Sequence, residues 1–345
     1  MMPFFSLLGI CSILVSSILT GCSSLPNHLT NKPVNLVAAD RPLTVEPLQN
    51  AYDYRLIDSQ TQQPLTVKQL AIQLQDQDIV FVGELHGNHA SHLLEMQLMT
   101  EMHILHPQQI LSMEMFNRDQ QPILNRYLDS EIGEAFLINE APTWSNYTGS
   151  YRPLIEFAKQ NFIPVIAANA PADIVRCIGR QGSAYLNKLL PRERLLIASK
   201  PLTDQPEYRL RYMDFLADAR KLTAEHKENS YLAQLTRDNT MAESIYQAWL
   251  DNPHAQILHL NGQFHSEYSL GTVSALKSLN SKLKVAVISP VLVENAVQPS
   301  YSVEDLKKGD VIYLLQNQPE QYLDSRYKQQ ARKKLFSQAE KALCR

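Results

Sequence analysis

Two distant segments of the chain each end an apolar run in side chains that can do chemistry. Residues 78–89 read DIVFVGELHGNH, and residues 257–268 read ILHLNGQFHSEY. Glu84 and His86 are two residues apart, so an extended backbone directs both side chains to the same face. Ligands collect where the parallel strands of an open α/β sheet finish. We therefore expect the two segments to contribute to one shared site.

Other apolar runs end in polar residues too. Glu114 lies in SMEMF at 112–116, and Asn169 lies in AANA at 167–170. Burying a carboxylate or an imidazole costs several kcal/mol unless the group is paired, so these residues need partners or a use. The predicted polar site comprises Glu84, His86, Asn88, His89, Glu114, Asn169 and His265.

Four interpretations of this polar site remain open. Two histidines and two carboxylates could hold a divalent metal. Glu84 or Glu114 could act as the base of a hydrolase, with a histidine as the acid. The same residues could form the polar wall of a binding pocket, or a satisfied network that supports the loops. The chain has no HExxH, GxSxG or GxGxxG motif, which argues against protease, esterase and dinucleotide-binding sites of those types.

The elements that position these residues alternate between strand and helix. Apolar runs predict strands near 78–84, 110–115, 163–168, 256–261, 284–289 and 310–315, and helices fit near 90–105, 119–129, 151–161 and 271–280. Continuous apolar runs are typical of strands that are covered on both faces. The pattern predicts an α/β fold with a large, mostly parallel sheet, flanking helices and a smaller helical insertion. On the first helix, His92 falls in a stripe of His and Met that is more typical of core or solvated positions than of a metal or haem site.

Composition divides the chain into five parts. We expect a signal peptide at 1–21, a tether at 22–50, an α/β domain at 51–184 and 253–318, a helical insertion at 185–252 and a basic C-terminal tail at 319–345. The net charge is −3 and no basic run dominates, so nucleic acid is not an expected partner. The basic tail is typical of a solvated helix face.

The N-terminus predicts a lipid anchor. Residues 4–19 are apolar, and they lead into Leu19-Thr20-Gly21-Cys22, which resembles the lipobox of bacterial lipoproteins. Cys22 would then carry acyl chains, and several chains anchor a protein stably. Ser23 and Ser24 resemble the outer-membrane sorting pattern. The alternative is an ordinary signal peptide with a chance cysteine.

Two further cysteines, Cys177 and Cys344, remain in the mature chain. In an oxidising compartment they could pair, or they could stay as free thiols, because sequence does not reveal their geometry.

Several short motifs, in this order, resemble a known family. They are GELHGNH at 83–89, MEMF at 113–116, YRPLIEFAK at 151–159, PVIAANAP at 164–171, RDNTMAESI at 237–245 and HSEYSLG at 265–271. Together with the lipobox they resemble the ChaN-like haem-uptake lipoproteins, in the wider group that includes the erythromycin esterases and the Tiki proteins.

The resemblance implies haem binding rather than catalysis. It implies that a tyrosine ligates the iron and that the haem is sandwiched in a homodimer, with Tyr151 and Tyr268 at family-like positions. A phenolate suits ferric iron. The expected partners are haem, a membrane reached through the lipid anchor and an outer-membrane haem receptor. A metal-dependent or general-base hydrolase that uses Glu84, His86, Glu114 and His265 is the alternative function.

Overall fold

A mixed sheet with helices on both faces forms the body of the protein. The computed structural model describes residues 43–199, 202–217, 222–340 and 343–344. The predicted signal peptide, Cys22 and most of the predicted tether lie outside these residues. Among the described helices, none has the length and apolar character needed to span a membrane.

The bounds of the elements follow the predicted alternation. The strands are β1 (Leu43–Thr44), β2 (Tyr54–Asp58), β3 (Pro64–Leu65), β4 (Ile79–Glu84), β5 (Gln109–Asn117), β6 (Val165–Asn169), β7 (Gln256–Gly262), β8 (Val285–Val293), β9 (Ser300–Tyr301) and β10 (Val311–Gln316). The helices are α1 (Val67–Leu74), α2 (His89–Leu105), α3 (Gln121–Leu128), α4 (Glu134–Glu140), α5 (Tyr147–Ser150), α6 (Arg152–Gln160), α7 (Ala172–Gln181), α8 (Ser183–Leu186), α9 (Pro191–Arg194), α10 (Pro206–Phe215), α11 (Ala224–Asp251), α12 (Thr272–Leu279), α13 (Val303–Leu306) and α14 (Ser325–Glu340).

The main sheet has the order β3-β2-β10-β8-β4-β7-β5-β6. From β10 to β6 the strands are parallel, while β2 and β3 add an antiparallel edge. The predicted α/β fold with a mostly parallel sheet is confirmed. Between β6 and β7 the described residues form only helices, α7 to α11.

Alternating side chains of the central strand serve two separate cores. Val80 and Val82 of β4 pack with α2 on one face of the sheet. Ile79 and Phe81 pack with α11 and α12 on the other face. Because strand side chains alternate, both sets of β4 residues are buried, which explains the continuous apolar sequence.

A disulfide joins Cys177 of α7 to Cys344, beyond the end of α14. The structure thus decides between the two states that the sequence left open for these cysteines. Through this bond, the last residues of the chain are attached to the body of the protein.

Candidate functional site at the carboxyl edge of the sheet

The two strand ends that carry the polar motifs lie side by side. Strands β4 and β7 pair in parallel, with Glu84 opposite Gly262. Glu84 has the same parity as Val80 and Val82, so its side chain lies on the α2 face of the sheet. Glu114 of β5 alternates with apolar residues of that face and points to the opposite one. The polar residues therefore form two clusters, one on each face.

The first cluster is centred on Glu84, and we call it the closed cluster. Glu84 is buried, and the Tyr151 hydroxyl donates a hydrogen bond to its Oε1 at 2.6 Å. His86 Nδ1 makes a short contact with the same oxygen. On α2, His92 Nδ1 lies 3.2 Å from Glu84 Oε2 and 3.1 Å from Glu95 Oε2. The protein itself supplies polar neighbours to this buried carboxylate.

Burial and hydrogen bonding determine which groups of the closed cluster are charged. Burial opposes ionisation of Glu84, but hydrogen bonds from His86 and His92 outweigh it and lower the Glu84 pKa. Burial and the Glu84 carboxylate raise the pKa of Glu95 well above its usual range, so Glu95 holds a proton. Burial disfavours charge on His92, yet hydrogen bonds to Glu84 and Glu95 raise its pKa to about 10.

Donor atoms of Glu84, His92 and Glu95 lie within 4.8 Å of one another, and no other such metal-like group occurs in the described residues. The tautomer of His92 argues against a metal there. The Gly87 N–H donates to His92 Nε2 at 3.2 Å, so a neutral His92 carries its proton on Nδ1. A protonated imidazolium also carries a proton on Nδ1. A metal at this position would therefore have to displace the Nδ1 proton, which faces Glu84 and Glu95.

Gly87 makes this arrangement possible. Its φ of +82° lies in the left-handed region, which an L side chain rarely adopts, and it lets the chain turn from β4 into α2. Asn88 then caps α2 by accepting from the Ala90 N–H at 2.9 Å. The predicted site residue Asn88 thus has a structural role, although its side chain also lies at the edge of a cleft described below.

The second cluster is centred on His265, on the opposite face of the sheet. His265 Nδ1 lies 2.7 Å from Asp238 Oδ1 of α11, and His265 Nε2 lies 3.4 Å from Glu114 Oε1. Glu114 Oε2 accepts from the Gly262 N–H at 2.7 Å, and Asp238 accepts from the Tyr208 hydroxyl at 2.8 Å. All four side chains are buried. Asp238 was not among the predicted site residues.

Opposite charges set the protonation of this second cluster. Burial opposes charge on both groups, but the attraction between Glu114 and His265 outweighs it. The pKa of Glu114 falls to about 2, and that of His265 rises to about 10, with a further contribution from Asp238. At neutral pH the cluster is therefore an imidazolium held between two carboxylates.

His86 lies between the two clusters and reaches solvent. Its side chain is 40% exposed, and its ring meets the Trp144 ring edge-on at 4.7 Å. A Cβ atom at Gly262 would lie only 2.6 Å from His86 Nε2, so only glycine leaves room for this imidazole. Burial of the rest of the ring opposes charge, but Glu84 and Glu114 outweigh it and raise the His86 pKa.

The remaining predicted polar residues take other positions. Asn169 is buried, and its amide donates to the Glu114 carbonyl at 3.0 Å, so it links β5 and β6. His89 is exposed and stacks on Tyr52, with ring centroids 5.2 Å apart. Neither side chain joins the two clusters.

The two tyrosines with family-like positions differ in access. Tyr151 is 0% exposed, and burial together with Glu84 raises its pKa far above the usual range. Tyr268 is half-buried on the other side of the sheet, with a left-handed φ of 61° and the Arg211 guanidinium 3.9 Å from its ring centre.

An open cleft of about 880 Å³ lies beside His86. One wall comes from the residues after β4 and from β8, at Leu85, His86 and Leu292; the other comes from 317–322 and α14. Tyr322, Lys328 and Lys334 line the second wall. The position matches the expected crevice at the carboxyl ends of parallel strands.

The sequence interpretation missed this second wall, because it assigned residues 319–345 to a solvated basic tail. The residue types gave one signal, namely a tyrosine followed by several lysines and arginines. Nothing in the sequence indicated that this segment folds back over the sheet edge.

Comparison with known proteins identifies the family. The family model for haem-binding uptake proteins of the Tiki superfamily, ChaN, matches residues 70–276, which is more than half of the chain. The chain therefore belongs to this family, and haem is its cofactor. None of the curated proteins compared with the chain matches it.

Several solved structures are similar to this chain. The ChaN protein of Campylobacter jejuni, described with cofacially bound haem, is 18% identical over 79% of this chain and 100% of its own, with a TM-score of 0.57. An erythromycin esterase is 13% identical over 70% of this chain and 77% of its own, with a TM-score of 0.42. A succinoglycan biosynthesis protein is 10% identical over 79% of this chain and 94% of its own, with a TM-score of 0.44.

Proposed function

We propose that this haem-uptake protein holds its haem in the open cleft beside His86 and passes it on during iron acquisition. The observation that carries the proposal is the lining of the cleft. An accessible tyrosine and lysines on one wall face apolar residues and a histidine on the other. Those are the side-chain types that a ferric porphyrin with two carboxylates requires.

The cleft fits haem in size and character. Its volume of about 880 Å³ lies within the range of clefts that hold organic ligands and cofactors. Leu85, Leu292 and Pro319 give the porphyrin face an apolar surface. When bound, the haem supplies the iron chemistry, and the protein supplies the ligand, the contacts and the orientation.

Tyr322 is the tyrosine that best suits iron ligation. It is 41% exposed and lines the cleft, so its phenol oxygen is accessible to the iron of a ligand in the cleft. Tyr151 is buried and already donates to Glu84, and its raised pKa opposes phenolate formation. Tyr268 stays the competing candidate, because it is half-buried and not tied to a carboxylate, although it is not among the side chains that line this cleft.

Lysines of α14 suit the propionates of the haem. Lys328 and Lys334 lie on the wall that also carries Tyr322, and both are exposed. An ammonium group can pair with a propionate carboxylate at this position. His86, with its raised pKa, offers a second cationic donor on the opposite wall.

We also propose that two copies meet over the haem. Leu323 is 93% exposed and Tyr327 is 60% exposed next to the cleft, so both offer apolar surface to a second copy. The cleft is open to solvent, so a second copy could cover the part of the porphyrin that the two walls leave exposed. The similar Campylobacter jejuni protein is described with cofacial haem.

The lipid anchor at Cys22 and an outer-membrane location belong to the same proposal. They rest on the lipobox-like Leu19-Thr20-Gly21-Cys22 and on the serines after it. Incorporation of a palmitate analogue into the wild-type chain, but not into Cys22→Ala, is the expected result. An outer-membrane haem receptor is the proposed partner, because anchored haem carriers need a source or a sink.

A haem titration of the residues from 43 onward tests the ligand. Tyr322→Phe should change the visible spectrum of bound ferric haem and weaken binding by roughly tenfold or more, because it removes the metal bond. Tyr268→Phe is the control, since it removes a phenol that does not line the cleft, and should leave the spectrum unchanged. The opposite pattern would move the ligand to Tyr268. No saturable binding by the wild type would refute the haem cleft.

The alternative hydrolase rests on the second cluster. Asp238 orients His265 beside Glu114, as an orienting carboxylate does in many enzymes. Its protonation is unfavourable for this role, because a base that works near neutral pH needs a pKa near 7, and His265 and Glu114 lie at about 10 and about 2. Stoichiometric zinc or manganese in protein purified without haem, with no change in the Soret band of added haem, would favour the hydrolase.

A further inference from the structure

The wall of the cleft that carries the lysines is attached to the body at two points. The chain leaves the sheet at Gln316, the end of β10, crosses the cleft through 317–324 and enters α14. Beyond α14, Cys344 is bonded to Cys177 of α7. Helix α14 is thus held by a peptide segment at its start and by a disulfide after its end.

Burial does little to hold the first half of α14. The side chains of residues 325–330 are all exposed, and Ala331 is only half-buried. The contacts at the start of α14 are local; for example, the Arg326 guanidinium pairs with Asp324. A segment with few buried contacts opens at low free-energy cost unless a covalent bond restrains it.

The disulfide itself is anchored in a core. Cys177 is buried in the apolar cluster of α7 with Ile174, Val175 and Ile178, and Cys344 packs against that cluster. Cys344 is half-buried, and the Arg180 Nη1 lies 3.4 Å from its sulfur. The bond therefore ties α14 to a rigid part of the protein, and its Cys344 side is the more accessible one.

We infer that the Cys177–Cys344 disulfide is a redox-sensitive clamp on the haem cleft; the inference rests on the proposed haem site. While the bond is intact, α14 stays over the cleft and retains the ligand. A dithiol reductant attacks the Cys344 sulfur, breaks the S–S bond and forms a mixed disulfide, and Cys177 leaves as a thiol. The second thiol of the reductant then releases Cys344, so that two electrons and two protons reduce the protein while the reductant becomes a disulfide. Released α14 swings away, and haem is lost faster.

Limited trypsin digestion tests the clamp without haem. Arg326, Lys328 and Lys334 are cleavage sites in α14, and cleavage after the exposed Lys307 serves as an internal reference. Cys344→Ala leaves Cys177 in its core, and reduction of wild type by dithiothreitol breaks the same bond without a substitution. Both should speed α14 cleavage roughly tenfold relative to the reference. Equal cleavage rates in oxidised wild type and Cys344→Ala would overturn the clamp.

Haem transfer to apomyoglobin is the second test. It is carried out without reductant, because a reductant would also reduce the iron. Cys344→Ala should release haem roughly fivefold faster than wild type, and Cys177→Ala should match it because it lacks the same bond. Faster α14 cleavage with unchanged haem release would overturn the link between clamp and cleft. If the wild type binds no haem, the proposed function fails, while the digestion still decides whether the disulfide restrains α14.

Discussion

The closed cluster around Glu84 and the open cleft beside it begin at the same strand end and differ in what satisfies their polar groups. In the closed cluster, Tyr151, His86 and His92 surround the Glu84 carboxylate, and the proton on Glu95 removes a second charge. In the cleft, Tyr322 and Lys328 face solvent. Protein side chains surround the Glu84 carboxylate in the first region, whereas the second region leaves its tyrosine and lysine accessible to a ligand.

A motif of polar residues at a strand end therefore does not by itself mark the ligand surface. Because Glu84 is buried, its carboxylate needs partners inside the protein. Its polar neighbours therefore stabilise the fold. His86 is the residue that both regions share, because it contacts Glu84 and lines the cleft. Substitutions in the two regions should therefore affect different quantities.

The largest expected effect is on stability, from Glu84→Gln. The amide keeps the shape but removes the charge that His86 and His92 require, so the free energy of unfolding should fall by about 3 kcal/mol. Urea unfolding measures this free energy. Glu304→Gln, at an exposed position, is the control and should change it by less than about 0.5 kcal/mol. A loss below about 1 kcal/mol in Glu84→Gln would mean that the closed cluster is not a folding device.

The second prediction concerns pH and the His265 cluster. The folded pKa of His265, about 10, lies above its unfolded value, so the stabilisation is complete below about pH 6.5 and is lost as pH rises toward 10. Between pH 7 and pH 9, the free energy of unfolding of His265→Gln should therefore fall by about 2 kcal/mol less than that of the wild type. Urea unfolding at pH 7, 8 and 9 measures the two slopes. Identical slopes would show that His265 is neutral in the folded chain.

Much of this arrangement could be predicted from the sequence, because the signal lies in short local patterns of residues. The strand ends at Glu84 and Glu114 were predicted because buried parallel strands are continuous apolar runs that stop sharply. Asp238 and Glu95 were missed because they lie inside helices whose polar residues resemble a solvated face until the fold brings them to Glu84 and His265. The stripe on α2 favoured a core or solvated position for His92, and the structure buries it against Glu84 and Glu95.

The cleft was harder to foresee, because it depends on a segment folding back. Tyr322 and Lys328 have no motif, and their position depends on the path of 317–324 and on the bond of Cys344 to α7. The sequence did not show whether this bond forms, because a disulfide requires two cysteines that lie close together, and their distance depends on the fold. Tyr151 was singled out by its motif, and the fold then buried it.

The third prediction uses the shared residue, His86. Replacement by Phe keeps a ring against Trp144 but removes both nitrogen atoms. We expect the free energy of unfolding to fall by about 1 kcal/mol, through loss of one hydrogen bond, and haem affinity to fall roughly fivefold. Parallel unfolding and haem titration measure both. An effect on only one of the two quantities would assign His86 to a single region.

The smallest expected effect comes from the propionate contact. Lys328→Gln should weaken haem binding roughly twofold to threefold at low salt, because exposed ion pairs contribute little, and the difference should shrink at high salt. Lys307→Gln removes an equally exposed charge that does not line the cleft and should leave the affinity unchanged. Equal losses in both variants would indicate a general charge effect and no propionate contact.

The central claim is that haem occupies the open cleft and that the closed cluster stays intact. Anomalous diffraction at the iron edge from crystals of the haem-loaded chain locates the metal directly. We expect a single iron peak per chain in the cleft, bonded to the Tyr322 oxygen, with the Tyr151 hydroxyl still donating to Glu84. An iron peak beside Tyr268, or one that has displaced Tyr151 from Glu84, would contradict the account.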